Sequence, residues 1–75
     1  MRRYYFDLRH GDELAVDDEG VDLPNIDAVQ KLAIRALADM AQDLIDLPAP
    51  IAVEVRDEAG SVMRVRCLFE INRTN

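Results

Sequence analysis

His10, Asp12, Glu13, Asp17, Asp18 and Glu19 bring imidazole and carboxylate groups close together, the side chains from which a cation site is built. Their spacing does not make one. The run lacks the Asp-x-Asp-x-Asp-Gly loop and distal Glu that wrap calcium, and one histidine without a second His or a Cys is a poor zinc set. It reads as a solvated acidic hairpin, with no metal and no cofactor expected. Nucleophiles are as sparse, since Cys67, Ser61 and Thr74 with a single histidine cannot supply a nucleophile, a base and an orienting group. Cys67 alternates with Val65 and Phe69 and reads as an inert core thiol. The many carboxylates crowd turns rather than an apolar pocket that would raise a pKa. No catalytic residue is predicted, and the protein is not expected to be an enzyme.

A second constellation is a surface rather than a reaction centre. Period-two alternation sends Arg3, Tyr5, Asp7 and Arg9 to one side of an N-terminal strand. Glu54, Arg56, Arg64, Arg66, Leu68 and Glu70 fall on the same side of two later strands. Arginine and tyrosine on an open antiparallel face suit a dimer or heteromeric protein interface, or base stacking as on RNA-binding sheets. The bland alternative is a ladder of solvated Arg–carboxylate pairs, each worth little. Arg3, Tyr5, Arg9, Arg56, Arg64, Arg66 and Leu68 are the candidate interaction residues. A third feature, Asp39, Asp43 and Asp46, forms an acidic ridge near the end of a helix, where the macrodipole disfavours carboxylates. The ridge could meet a basic partner or merely face solvent, partly offset by Arg35.

The elements that must position these groups are legible from periodicity. Tyr4, Phe6 and Leu8 against Tyr5, Asp7 and Arg9 predict a strand over about 2–10. Gly11-Asp12 breaks it, a short second strand over 13–17 follows, and Asp17 to Gly20 turns the chain. Pro24, an Asn25 cap and Asp27 in the first turn start a helix at about residue 25. Ile26, Val29, Ala33, Leu37, Met40 and Leu44, widened by Leu32, Ala36, Ala41 and Ile45, give its apolar stripe. The helix should run to about 46, where Pro48 and Pro50 disfavour helical geometry before them. Alternation over 51–57 and 61–71 about Asp57 to Gly60 predicts a hairpin. The expected fold is α+β: a two-layer ββαββ sandwich with one long helix on one face of an antiparallel sheet.

Seventy-five residues make one domain, close to the size at which one core barely offsets ordering entropy, so burial by self-association is expected. The net charge of −6 is uneven: residues 1–30 carry eight acids and three arginines, residues 47–75 four of each. That balance disfavours nucleic acid, while leaving room for a local basic patch. One cysteine, and no basic segment leading an apolar one or long apolar span, point to a cytoplasmic protein without membrane contact.

Arg3-Tyr4-Tyr5-Phe6-Asp7, the Gly11-Asp12 turn, the Asp-x-x-Gly-x-x-Leu segment of Asp17, Gly20 and Leu23, and the Val-Arg-Asp-x-x-Gly hairpin of Val55, Arg56, Asp57 and Gly60 together resemble a family of short bacterial proteins known as domain of unknown function 6894. The likeness covers nearly the whole chain and implies no activity, partner or site. A weaker, topological similarity is to HicB-like antitoxin domains, which also combine a Tyr-Tyr strand, acidic hairpins and an Ala-rich helix. Their Pro-Gly-Cys segment and Glu-Ala helix start are absent, so no toxin-binding residue carries over. The expected function is a small interaction module that binds and self-associates, most simply as a homodimer or with an unidentified protein partner. The alternative is an antitoxin-like regulator of a protein or nucleic-acid partner.

Overall fold

The N-terminal alternating run becomes the strand on which the rest of the sheet is built. In the computed structural model, which describes residues 1–43, 49–68 and 72–74, the elements are β1 (Arg2–His10), β2 (Glu13–Ala15), β3 (Val21–Leu23), α1 (Ile26–Asp43), β4 (Ile51–Asp57) and β5 (Gly60–Cys67). One helix packs on a five-stranded antiparallel sheet ordered β2-β1-β4-β5, with β3 also paired to β1. The expected α+β sandwich with a terminal hairpin is therefore what forms.

One strand escapes the sequence pattern. Three strands, not two, precede the helix, because Val21–Leu23 pairs with Arg2–Tyr4. Three residues are too short to display alternation. The second strand also ends at Ala15 rather than at residue 17. Between the two pairings, the three β1 residues Tyr5, Phe6 and Asp7 face the five residues 16–20. The surplus of two makes β2 and β3 the halves of one edge interrupted by a bulge.

Cross-strand partners share a face, so the register fixes the layers. Leu8, Val53 and Val65 form one row under the helix and Phe6, Val55 and Met63 the next. Tyr4, Val29, Ala33, Val53 and Val55 form the buried core. Val29 and Ala33 are fully covered, and the alanine lets the helix approach β4 closely; each fully buried valine is worth about 1.5–3 kcal/mol. Asn25 caps the helix as expected, its Oδ1 accepting from the Ala28 N–H at 2.9 Å. Ile26, expected in the stripe, is half exposed at 49 %, because burial begins one turn later at Val29.

Within the described residues α1 extends to Asp43; the last helical positions expected, Asp46 among them, lie outside those residues. β5 ends at Cys67 with Leu68 beyond it, and Phe69, Glu70 and Ile71 of the longer expected strand lie outside. Cys67 is half-buried rather than sealed in the core. At the hairpin, Asp57 Oδ1 accepts from the Ala59 N–H at 2.8 Å.

Candidate functional site

The sheet face away from the helix divides into two regions. At the end nearer the hairpin turn it is closed by the chain itself. Asp17, in the bulge, takes the Phe6 N–H on Oδ2 at 3.0 Å and the Glu19 and Gly20 N–H groups on Oδ1 at 3.0 and 3.1 Å. Phe6 sits where neither short strand pairs with β1, so this carboxylate takes the place of a ladder carbonyl. The Asp17 N–H donates to Asp7 Oδ1 at 2.9 Å.

Asp7 is 93 % covered, the only buried charged side chain among the described residues. Such a group needs a counterion and hydrogen bonds. Arg56 provides both: Nε donates to Asp7 Oδ2 at 2.9 Å, and Nη2 to the Asp17 carbonyl at 2.8 Å. The guanidinium lies 4.6 Å from the centre of the Tyr5 ring, a cation–π contact. Burial pushes the Asp17 carboxyl up, but the Phe6, Gly20 and Glu19 N–H groups and the Arg56 charge outweigh it and hold it below the ordinary value.

Gly20 completes this closure. Its φ is +76°, and a Cβ there would lie 2.9 Å from both Arg3 Cγ and Tyr5 Cε1, so only glycine fits without displacement. Arg3 is in turn held by Asp22 at 2.9 and 3.1 Å. Arg3, Tyr5 and Arg56, expected on a free interaction face, are therefore committed to holding the bulge against the sheet. Their alternation was legible; the loop that meets them was not.

The other end of the face is open. Arg9, Ala52 and Arg66 form one cross-strand row and Asp7, Glu54 and Arg64 the next. One carboxylate oxygen, Glu54 Oε2, accepts from Arg9 Nε at 3.0 Å and Arg64 Nη2 at 2.9 Å. Hydrogen bonds from Arg9 and then Arg64 hold the Glu54 carboxyl below its ordinary range. Arg66 has no ion pair among the described residues. Two guanidinium groups thus share one carboxylate and a third has no ion pair among the described residues, a locally cationic region on a chain of net charge −6.

These arginines line a cleft of about 110 Å³ with Ala52 as its buried floor and Pro50 and Leu68 beside it. That is well below the roughly 300–1,000 Å³ of small-molecule sites. It suits a carboxylate or a single side chain better than a metabolite. Leu68 is 65 % exposed, an apolar rim next to the cations. Of the predicted interaction residues, Arg9, Arg64, Arg66 and Leu68 converge here. Ala52 and Pro50 were not anticipated, and a small residue alternating with charged ones gives no signal until its cross-strand neighbours are known.

On α1, Asp39 and Asp43 are exposed, the last turn holds no basic residue, and no ion pair joins Arg35 to Asp39 among the described residues. The described residues contain no group of three or more His, Cys, Asp and Glu side chains placed to hold a metal ion. No helix there is long and apolar enough to cross a membrane.

Neither the curated proteins nor the solved structures return a match, so the antitoxin resemblance gains no support from them. The segments that suggested the family resemblance now have physical roles: Arg3 to Asp7 and Asp17 with Gly20 build the closure, Leu23 packs against the core, and Arg56 ties the halves. A family model described as a domain of unknown function (DUF6894) matches residues 3–68, all five strands and the helix, and the chain belongs to that family.

Proposed function

We propose that this domain acts by binding a protein partner through the open end of its sheet, rather than by catalysis. One observation carries the proposal: Arg9, Arg64 and Arg66 meet around a small cleft beside β5, whose outer side is unpaired among the described residues. An unpaired strand presents N–H and C=O groups that another chain can take up. Arginine is the cation most often retained at the centre of interfaces. A self-contained salt-bridge ladder would balance its charges, whereas here Arg9 and Arg64 share Glu54 and Arg66 has no ion pair among the described residues. The overall charge of −6 favours protein over nucleic acid. We place the activity in the cytoplasm, a reading supported by the lone cysteine.

Size-exclusion chromatography with light scattering over a concentration series, on the wild type and on Arg64→Glu with Arg66→Glu, tests the proposal. The expected outcome is an assembly, with a second copy or a co-purified protein, that the charge reversal dissociates while the folded monomer persists. Monomers without a partner for both proteins, at every concentration, would remove it.

A further inference from the structure

We propose that β5 is the docking edge for an extended acidic segment of another protein, which adds to the sheet as a further strand and sets two carboxylates, two residues apart, against Arg64 and Arg66. The inference rests on the binding role proposed above and names the chemistry of the partner.

Strand addition follows from what β5 offers. It spans Gly60–Cys67 and pairs only with β4 among the described residues. Arg64 and Arg66 point to the open face, about 7 Å apart along the strand, which is the repeat of same-face residues on any added strand. Residues directly opposite lie about 5 Å apart at Cβ, within reach of an Arg–carboxylate pair. Met63, Val65 and Cys67 alternate on the other face, where Met63 and Val65 pack against the core. The intervening partner residue therefore meets apolar surface. The complementary pattern is acidic, apolar, acidic.

Charge separates this occupant from a second copy. β5 reads GSVMRVRC and has no acid. A two-fold pairing of β5 with itself about Arg64, Val65 or Arg66 sets arginine opposite arginine, which is destabilising on adjacent strands. The chain's own negative charge does not forbid an acidic ligand. The acidic bulge leans from the β2/β3 edge toward Arg56 at the hairpin end of the face, where that guanidinium offsets the Asp17 charge; Arg64 and Arg66 line the cleft at the other end, so the nearby guanidinium groups dominate what an approaching strand experiences.

The experiment titrates the ¹⁵N-labelled full chain with the capped synthetic peptide Thr-Glu-Val-Glu-Val-Thr and with its Gln-for-Glu counterpart. The expected result is shifts centred on the amides of residues 61–67, with affinity for the Glu peptide at least tenfold higher than for the Gln peptide and lost in Arg66→Glu. Among the described residues Arg66 has no ion pair to break, so that variant should keep the wild-type spectrum elsewhere. Equal binding of the two peptides, shifts away from β5, or no shifts at about 1 mM, the weak end of specific recognition, would overturn the proposal. So would β5 amides already protected in a homodimer, because a second copy would then occupy the edge. In that last case the binding role stands and only the identity of the occupant falls. Absence of any charge-dependent assembly in the light-scattering series removes the binding role itself.

Discussion

Replacing Asp17 with alanine should cost this domain a large part of its stability, although Asp17 lies in a loop. The carboxylate accepts three backbone N–H groups, those of Phe6, Glu19 and Gly20. Phe6 N–H is partly buried and faces the bulge, where no strand carbonyl replaces the lost acceptor. An orphaned buried donor costs about 1–3 kcal/mol, while the two outer donors regain water and cost about 0.5 kcal/mol each. The sum is about 3 kcal/mol, near 15 °C in Tm for a domain of this size at roughly 4–8 °C per kcal/mol. Asparagine should rescue little, because its amide turns an NH₂ toward one of the two donor sets. Urea unfolding followed by circular dichroism gives the comparison, with Asp18→Ala as the neighbouring control expected within about 0.5 kcal/mol of wild type. A loss below about 0.5 kcal/mol for Asp17→Ala, or an equal loss for Asp18→Ala, would refute the assignment of Asp17 as the residue that closes the bulge.

Gly20→Ala should lower stability by about 2 kcal/mol, from the left-handed backbone together with the contacts at 2.9 Å to Arg3 and Tyr5; Gly11→Ala, at φ +58° with open space around it, should cost less, and thermal melts compare the two. Acid should unfold the protein through carboxylates held below their ordinary values. Asp17 and Glu54 contribute stability that is fully present above the unfolded values of 3.8 and 4.5 and is lost as pH falls through the lower folded ones. The urea midpoint should therefore fall steadily below about pH 4.5, and Asp17→Ala should flatten that dependence. Asp43→Lys should raise stability by about 0.3–1 kcal/mol by placing a cation in a last turn that has none, leaving the shifts of β5 amides on peptide addition unchanged.

How much was legible depended on how local the information was. The period-two runs over 2–10 and 51–57 and the 3.6-period stripe about Val29 and Ala33 are statements about neighbours in the chain, and each element formed where its pattern lay. The Asp-x-x-Gly turns were equally readable, since aspartate and glycine favour turns for reasons contained within four residues. The Arg-and-Tyr face was also visible in outline, because alternation assigns a side chain to a face wherever the strand sits.

What the tertiary structure decided was which parts of that face stay open. Asp7, Asp17 and Arg56 are separated by ten and thirty-nine positions, and nothing in their local sequence announces that they share one part-buried charge network. Only the two-residue surplus between β2 and β3 folds the bulge back against Tyr5 and Arg56, half-burying them and engaging the Arg56 guanidinium. The cationic cleft likewise arises from register: Arg9, Ala52 and Arg66 become a row only when β1, β4 and β5 pair as they do. The sequence by itself determined the elements and their apolar faces, because backbone periodicity is a short-range property. Charge neutralisation and exposure were left to the fold, because both depend on groups brought together across the chain.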